Sequence, residues 1–323
     1  MRNPKGVAID LGASRVRVWV SGHGLVVDEP SLIAIDKKDH RRLAAGSSAK
    51  AMLGRTPAHI VVSRPFMGGA LVNVALAEDL LSWALAKTAI RRPNLFLCVG
   101  LSLSPLERRA LELVAHAVGA RSVRLVESIT AALMGAGIPL RAEPGTMVVD
   151  FGAGATEVAV LRHGGVAAAR SVPVGGDDLD AAISDYLEKH HGLLLGPQTS
   201  EEAKLEVGSV APMAVELRVD LSGRDLLTGL PRTVTTGAED VREAIEPPFA
   251  RCLGAVHALL ESLPPVLRTE VNRSQILLVG GGALLRGVDR RLAFETGLEV
   301  RCAENPLTCA LRGAGKIAGR FSR

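Results

Sequence analysis

One motif occurs twice in this chain, 140 residues apart, and its two copies are in register. The first copy is Asp10-Leu-Gly-Ala-Ser-Arg-Val-Arg-Val-Trp-Val20, and the second is Asp150-Phe-Gly-Ala-Gly-Ala-Thr-Glu-Val-Ala-Val160. Each copy follows a short apolar run, and a His-Gly pair comes shortly after each. This pattern predicts a buried strand, a tight turn, an alternating strand and a second turn. The duplication therefore restricts the chain to folds with two similar β-rich halves.

The turns at 12–15 and 152–155 have the composition of a phosphate-binding loop. Glycine tolerates positive φ and close approach of a ligand, and successive free N–H groups form a nest for an anion. A carboxylate ~5 Å from a phosphate is repelled by ~3 kcal/mol at an effective dielectric constant of ~20, unless a cation lies between them. Mg²⁺ is typically held by one or two carboxylates, waters and phosphates. We therefore predict that Asp10 and Asp150 bind Mg²⁺ in a cleft; the alternative is two ordinary hairpin turns.

Composition narrows the possible functions. The chain has 323 residues, of which 47% are hydrophobic and 22% charged. This is enough for two domains or for one large two-lobed fold with hydrophobic cores. Aromatic residues make up 3%, which argues against stacking on nucleic-acid bases. The net charge is +4, and the basic residues are dispersed along the chain. We therefore expect no nucleic-acid partner.

The four cysteines and the apolar runs indicate the compartment. The cysteines show neither C-x-x-C nor metal-ligand spacing, and Cys98 lies in an apolar run typical of a buried strand. Because the sequence leads from its first residues directly into a predicted strand, we expect no signal peptide. No apolar run approaches the ~20 residues that a membrane helix needs. These features predict a soluble cytoplasmic protein.

Strands and helices alternate in both halves, which predicts an α/β fold. A helix follows Ser104, the expected N-cap, with Pro105 at its first position, Glu107 completing a capping box and Gly119 after its end. Its predicted apolar stripe is Leu106, Ala110, Leu113, Val114 and Ala117.

The second half contains further helix signals. Gly175-Gly-Asp-Asp178 predicts a helix that runs to about His190 and stops at Gly192. A second capping box is predicted from Thr199 to Glu202, and a helix over 238–262 is expected to break at Pro247-Pro248.

Gly280-Gly-Gly282 follows a predicted buried strand at 275–279. It does not fit G-x-G-x-x-G, because position 285 is leucine. The triplet is consistent with nucleotide binding at a helix start and equally with close packing of a helix on a strand.

Several extended stretches resemble the bacterial actins MreB and Mbl, within the superfamily of actin, sugar-kinase and heat-shock-chaperone ATPases. They are Glu29-Pro-Ser-Leu-Ile-Ala-Ile35, Gly54-Arg-Thr-Pro57, Glu107-Arg-Arg-Ala110, Val174-Gly-Gly-Asp177, Gly223-Arg-Asp-Leu-Leu-Thr-Gly-Leu-Pro231, Gly280-Gly-Gly-Ala-Leu-Leu-Arg-Gly287, Asn305-Pro-Leu-Thr308 and Gly313-Ala-Gly-Lys316.

The resemblance implies an actin-like α/β fold with two duplicated lobes, each a β-sheet flanked by helices, around a nucleotide cleft. Lobe I would be residues 1–145 plus 306–323, with an insertion at about 36–62. Lobe II would be residues 146–305, with an insertion at about 190–236, giving four subdomains.

The resemblance also implies ATP with Mg²⁺ in the cleft and a set of site residues. Asp10 and Asp150 would be the metal ligands, and Asp150 and Glu127 the catalytic candidates. The nucleotide-binding candidates are Asp10, Gly12, Ala13, Ser14, Arg15, Gly152, Ala153, Gly154, Ala155, Glu201, Glu202, Ala203, Lys204, Gly280, Gly281, Gly282, Ala283 and Leu284. For Glu201 and Lys204, the alternative is a solvated i,i+3 charge pair.

Both turns depart from the family pattern. Ala13-Ser14-Arg15-Val16 replaces Thr-Ala-Asn-Thr, and Arg15 would either bind phosphate or point to solvent. Ala153 replaces the middle glycine of Gly-Gly-Gly-Thr-Thr, where we expect it to disfavour positive φ and crowd a phosphate.

The hydrolytic carboxylate is also replaced. The family's water-positioning glutamate falls at Ser128, which we predict to be a helix N-cap. Loss of a general base commonly costs ~10²–10⁴ in rate, and the adjacent Glu127 would point elsewhere. ATP hydrolysis is therefore expected to be slow or absent.

Three functional hypotheses follow. The first is a cytoskeletal protein that binds ATP and forms filaments, alone or with a paralogue, under the cytoplasmic membrane, where it guides the cell-wall synthesis machinery and cell shape. Ile90, Arg91 and Arg92 are weak candidates for membrane contact. The second is a small-molecule kinase, for which no substrate carboxylate is evident. The runner-up is a non-polymerising actin-fold scaffold that has lost nucleotide binding.

Overall fold

The structure is a computed structural model that describes residues 6–140 and 145–321. The predicted limits of lobe I at residues 1 and 323 lie outside the described residues. The strands are β1 (Gly6–Leu11), β2 (Arg15–Val20), β3 (Gly24–Pro30), β4 (Ile33–Asp36), β5 (Arg42–Ala45), β6 (Ile60–Ser63), β7 (Phe66–Met67), β8 (Ala70–Leu71), β9 (Asn94–Val99), β10 (Ser122–Glu127), β11 (Thr146–Phe151), β12 (Thr156–Arg162), β13 (Gly165–Val172), β14 (Leu193–Leu194), β15 (Arg218–Asp225), β16 (Pro231–Gly237), β17 (Gln275–Val279) and β18 (Glu299–Cys302).

The helices are α1 (Ser47–Lys50), α2 (Val74–Ala86), α3 (Pro105–Ala117), α4 (Ser128–Gly135), α5 (Gly176–His191), α6 (Pro197–Val207), α7 (Ala238–Ser262), α8 (Pro265–Asn272), α9 (Val288–Thr296) and α10 (Cys309–Arg320). A short 3₁₀ helix spans Gly281–Leu284. The chain forms two compact units. Unit 1 is Met1–Ala142, Leu161–Ala167 and Leu307–Arg323, and unit 2 is Glu143–Val160 and Ala168–Pro306.

Unit 1 is built on a five-stranded sheet in the order β10-β9-β1-β2-β3. The central strand β1 is parallel to β9 and antiparallel to β2. Its side chains alternate between two cores, as the two-residue period of a strand requires. Val7 and Ile9 pack in a core with α2 and α3, whereas Ala8 packs with Cys98 and with α4 and α10.

Unit 2 repeats this plan with the sheet order β13-β12-β11-β17-β18. Strands β11 and β17 are parallel, and their buried side chains pack with α5 and α7. Each unit also has a small three-stranded sheet, β5-β4-β6 in unit 1 and β14-β15-β16 in unit 2. Strand β4 therefore belongs to the small sheet of unit 1 and not to the five-stranded sheet.

Helix α3 has the predicted ends but not the predicted buried face. The Ser104 side chain accepts from the Glu107 N–H, and Glu107 accepts from the Ser104 N–H at 2.8 Å, so the capping box is confirmed. However, Leu106 is 80% exposed and Leu113 56% exposed, while Leu111 and Val114 are buried. The prediction of the stripe was right for Val114 and wrong for the two leucines, because α3 has apolar residues on both faces and only one face packs on the sheet.

Three other helix predictions need correction. Ser128 is not an N-cap, since β10 continues to Glu127 and α4 begins at Ser128. Thr199 does not cap α6, because a proline at the first position starts that helix at Pro197. Helix α7 runs unbroken through Pro247 and Pro248, since buried residues before and after the prolines hold it in the core of unit 2.

Within residues 6–140 and 145–321, none of the helices combines the length and apolar character that crossing a membrane requires.

Candidate functional site: two Asp-Gly turns

The first turn joins β1 to β2 and follows Asp10 in unit 1. The Gly12 N–H donates to the Arg15 carbonyl at 3.0 Å, which closes the turn. The fully buried Ser31 fastens it from the neighbouring segment: its hydroxyl donates to the Gly12 carbonyl at 2.7 Å and its N–H to the Ser14 carbonyl at 2.9 Å. This role of Ser31 was not predicted from the sequence, where the neighbouring Pro30 was the only signal of a turn anchor.

The second turn joins β11 to β12 and follows Asp150 in unit 2. The Gly152 N–H donates to the Ala155 carbonyl at 3.0 Å, the same closure as in the first turn. Here the anchor is the start of α5. The Gly176 N–H donates to the Gly152 carbonyl at 3.0 Å, and the Asp177 N–H donates to the Ala153 carbonyl at 2.8 Å.

Each turn leaves two successive N–H groups without an acceptor. In the part of the chain that the structure describes, the N–H groups of Ala13 and Ser14 form no hydrogen bond, and neither do those of Ala153 and Gly154. Consecutive free N–H groups are the donors of an anion nest. Both turns therefore fit a phosphate on an observation independent of their sequence.

The turns do not use positive φ, contrary to the prediction from sequence. Among the described residues, positive φ occurs at several glycines but at none of the residues 12–15 or 152–155. Ala153 is therefore compatible with its backbone conformation. Glycine is needed at these positions because neighbouring backbone leaves no space for a side chain. A Cβ on Gly152 would lie 2.8 Å from the Ala155 carbonyl oxygen, and a Cβ on Gly175 would lie 2.5 Å from the Ala153 carbonyl oxygen.

Arg15 does not point freely into solvent, and the alternative that it binds phosphate stays a prediction. Its guanidinium binds Asp28 on β3, with Nε on the carboxylate and Nη2 donating to the Asp28 carbonyl at 2.8 Å. Arg17, which is 7% exposed, also donates to the Asp28 carboxylate, at 3.0 Å, and places Nη1 3.7 Å from a carboxylate oxygen of Asp10. The sequence reasoning missed Arg17 and Asp28, although an arginine inside an alternating strand was a usable signal.

The two aspartates have different surroundings. Burial raises the pKa of Asp10 above its ordinary value, the Arg17 guanidinium opposes this, and the Asp28 carboxylate adds to it. Because the guanidinium already supplies a positive charge beside Asp10, it disfavours a second cation there. The Asp150 carboxylate fits a metal that takes its remaining ligands from water and phosphate. The described residues contain no cluster of three or more His, Cys, Asp or Glu that could hold a metal.

Gly280 brings the glycine triplet against Asp150. Its backbone has φ 83° and ψ 176°, and a Cβ there would lie 2.3 Å from the Asp150 Oδ1 and 2.4 Å from the Phe151 carbonyl oxygen. A Cβ on Gly282 would meet the Phe151 side chain at 2.6 Å. Of the two interpretations of the triplet, close packing is thus observed, and it positions the Asp150 carboxylate.

Lys204 fastens the second turn from α6. Its ammonium lies 2.8 Å from the Asp180 carboxylate and donates to the Gly176 carbonyl at 2.9 Å. Burial raises the pKa of Asp180 to about 6, and the Lys204 ammonium opposes that rise. Lys204 is therefore part of a partly buried ion pair, and the alternative of a solvated Glu201–Lys204 pair does not describe it.

The remaining predicted residues differ in exposure. Ala203 and Ala283 are buried, so their side chains pack in the core of unit 2, whereas Leu284 is 57% exposed. Glu202 and Gly281 are exposed. Glu127 is half-buried in unit 1, and its carboxylate accepts from the Thr130 hydroxyl at 3.3 Å.

The whole chain is similar to proteins of one known family. The family model described as MreB/Mbl protein matches residues 4–323. The cell shape-determining protein MreB of Escherichia coli K12 is 40% identical over 96% of this chain and 92% of its own length. The cell shape-determining protein Mbl of Bacillus cereus is 36% identical over 99% of this chain and 97% of its own length.

Solved structures give the same result. MreB5 of Spiroplasma citri bound to AMPPNP is 30% identical, with a TM-score of 0.94 over 99% of this chain and 97% of that one. The MamK double helical filament has a TM-score of 0.81 at 19% identity, which supports the fold alone. The protein therefore has an actin-like fold, as predicted. The chain belongs to the MreB/Mbl family.

Proposed function

We propose that this protein is an actin-like cytoskeletal protein that binds ATP through its two Asp-Gly turns and forms or joins filaments that organise cell-wall synthesis and cell shape. The observation that carries the proposal is the pair of equivalent turns, each with two free successive N–H groups, at Ala13 and Ser14 and at Ala153 and Gly154. Nucleotide-bound relatives, MreB5 with AMPPNP and MreB5 with ADP, support it.

In this proposal the nucleotide's phosphates are held by main-chain donors. The turn at 152–155 is fixed by α5 and, through Gly176, by Lys204. A Mg²⁺ ion, when bound, would be held by Asp150, whose carboxylate Gly280 packs against. Asp10 as a second metal ligand stays a prediction from sequence, which the Arg17 guanidinium does not favour.

Hydrolysis is proposed to be weak or absent. Ser128 is the first residue of α4 and offers a hydroxyl instead of a carboxylate. Glu127, the other candidate, is the residue just before that helix, and its carboxylate accepts a hydrogen bond from the Thr130 hydroxyl. A carboxylate that positions water is commonly worth ~10²–10⁴ in rate, so its loss leaves nucleotide binding with little turnover.

Filament formation is proposed to involve a second copy of this chain or a paralogue. An apolar face of α3, formed by Leu106, Ala110, Leu113 and Ala117, is directed outward, and both leucines are more than half exposed. Large exposed apolar side chains clustered on one face are typical of an interaction surface. The filaments would lie at the cytoplasmic face of the membrane, and their partner would be the cell-wall synthesis machinery. Arg91 and Arg92 are exposed candidates for membrane contact, whereas Ile90 packs against the core of unit 1.

Titration calorimetry of the purified protein with AMPPNP and Mg²⁺ tests nucleotide binding. We expect clear micromolar binding by the wild type, and we expect Asp150→Ala to abolish the part of that affinity that depends on Mg²⁺. Asp185→Ala, which removes an exposed carboxylate of α5, is the matched control and should bind as the wild type does. Absence of binding by the wild type would contradict the proposal and favour the scaffold that has lost nucleotide.

Sedimentation and electron microscopy with AMPPNP, with and without a paralogue, test assembly. We expect filaments of the chain alone or mixed filaments. Soluble monomers under both conditions would exclude the cytoskeletal role and leave nucleotide binding to be explained otherwise.

A further inference from the structure

Three charged side chains form one row across the sheet of unit 1. In the strand register, Asp10 of β1 is opposite Arg17 of β2, and Arg17 is opposite Asp28 of β3. Directly opposed side chains on neighbouring strands are the pairs that interact most strongly in a sheet. The contacts follow this register, since the Arg17 guanidinium lies 3.7 Å from Asp10 and 3.0 Å from Asp28.

The side chains of this row are held in place by burial and by ion pairs. The Arg17 side chain is 9% exposed and that of Asp10 is 20% exposed, so little water competes for their charges. Arg15 binds Asp28 from its outer side and so completes a set of two guanidinium groups and two carboxylates. Because arginine cannot be deprotonated in proteins, this positive charge beside Asp10 is permanent.

The second copy of the motif has the opposite charge at the equivalent position. Arg17 is seven residues after Asp10, and the residue seven after Asp150 is Glu157, which is 6% exposed. The two closing hydrogen bonds, Gly12 to Arg15 and Gly152 to Ala155, show that the offsets of the repeat are retained in the fold. The Arg17 guanidinium is thus particular to the first copy of the motif, and the second copy has a buried acid at that position.

We infer that Arg17 is the resident counter-ion of Asp10 and takes the place of a divalent metal there, so that the metal dependence of nucleotide binding arises at Asp150 alone. The inference rests on the proposed function. Its physical basis is that a guanidinium and a divalent cation repel each other when both approach one carboxylate. It makes Arg17 a specificity-determining residue, which sets how much the protein relies on metal.

The test compares AMPPNP affinity in excess Mg²⁺ with affinity in EDTA, using the full-length chain and calorimetry. The ratio of the two dissociation constants measures metal dependence. Asp150→Asn should bring this ratio close to one. Asp10→Asn should leave the ratio within about twofold of the wild-type value, the spread expected for a site independent of the metal.

Arg17→Met should increase the metal dependence of binding, because it leaves the Asp10 carboxylate without a counter-ion beside the phosphates. In EDTA we expect affinity to fall by about tenfold or more, and Mg²⁺ should restore most of it. The double variant Arg17→Met/Asp10→Asn should lose this added metal dependence. Arg17→Lys keeps the positive charge and should resemble the wild type, and circular dichroism checks that each variant is folded.

The outcomes separate the two claims. If the wild type binds AMPPNP in neither buffer, the proposed function is wrong. If the wild type binds but Asp10→Asn removes metal dependence as completely as Asp150→Asn does, Asp10 is a metal ligand and the inference about Arg17 is wrong. Should Arg17→Met fail to fold, the comparison of Asp10→Asn with Asp150→Asn still decides.

Discussion

Gly280 adopts a conformation that glycine alone reaches without strain. Its φ of 83° and ψ of 176° lie in a region that is essentially restricted to glycine. The residue also has no space for a side chain, since a Cβ would lie 2.3 Å from the Asp150 carboxylate. The identity of residue 280 therefore determines where that carboxylate lies.

We predict that Gly280→Ala lowers the free energy of unfolding by about 2 kcal/mol or more, because backbone strain and overpacking add. It should also weaken AMPPNP binding by displacing Asp150. Urea unfolding and calorimetry measure the two effects. Gly254→Ala is the control: no atom lies within 4 Å of its Cβ position, and Gly254 is inside helix α7. That change should stabilise the protein by about 0.5–1 kcal/mol, and equal effects of the two substitutions would contradict the prediction.

Asp180 should make stability fall as the pH rises. Its pKa is about 6 in the folded chain, against 3.8 for the ordinary group, because burial disfavours the charged form. A carboxyl whose pKa is raised on folding binds its proton more tightly in the native state. Its stabilising contribution is therefore complete below pH 3.8 and is lost as the pH rises through about 6.

Urea unfolding of the wild type and of Asp180→Asn at several pH values measures this contribution. The stability of the wild type relative to the variant should decrease by on the order of 2 kcal/mol between pH 4 and pH 7. Asp185→Asn, which removes an exposed acid of the same helix, is the matched control for the loss of a carboxylate. A difference for Asp180 that stays constant or increases would show that its carboxyl is ionised normally.

At the scale of elements, α3 shows how a helix can present two apolar faces. Leu111 and Val114 are buried in unit 1, while Leu106 and Leu113 are exposed. The capping box and the proline fix where the helix begins, but neither of them fixes its rotation about its axis. The outward leucines are thus available to a second copy of the chain.

Leu106→Glu/Leu113→Glu should reduce self-association in the presence of AMPPNP without unfolding the monomer, because two charges are introduced on an exposed apolar face. Sedimentation at matched concentrations gives the polymerised fraction, which we expect to fall by about tenfold or more, since each desolvated charge is costly in a contact. Leu205→Glu alters a leucine of α6 that is 65% exposed and serves as the control. Equal loss from both variants would remove the special role of α3.

At the scale of the whole molecule, a ligand that binds the native state alone should stabilise it by mass action. At a free AMPPNP concentration of 100 times its Kd, the expected gain is about 2.7 kcal/mol. Thermal unfolding with AMPPNP and Mg²⁺ measures it. AMP, which lacks the phosphates that the turns would contact, should give a much smaller shift. Equal shifts would place the binding energy on the nucleoside and argue against the phosphate nests.

The element order and the two turns were predictable because their signals are local. The spacing of Asp10 and Gly12, and of Asp150 and Gly152, gave two hairpins of the same design, and both close with the same hydrogen bond. The continuous helix through Pro247 was not predictable, since packing on either side of it outweighs the local cost of proline.

The sequence by itself determined the duplicated motif, the alternation of strands and helices and the family, because each depends on the order and spacing of residues along the chain. The tertiary structure decided that Arg17 stands between Asp10 and Asp28, that Gly280 packs on Asp150, and that Leu113 faces outward. These facts depend on strand register and on the face that each element turns to its sheet. Such relations arise between residues far apart in sequence, and no local pattern specifies them.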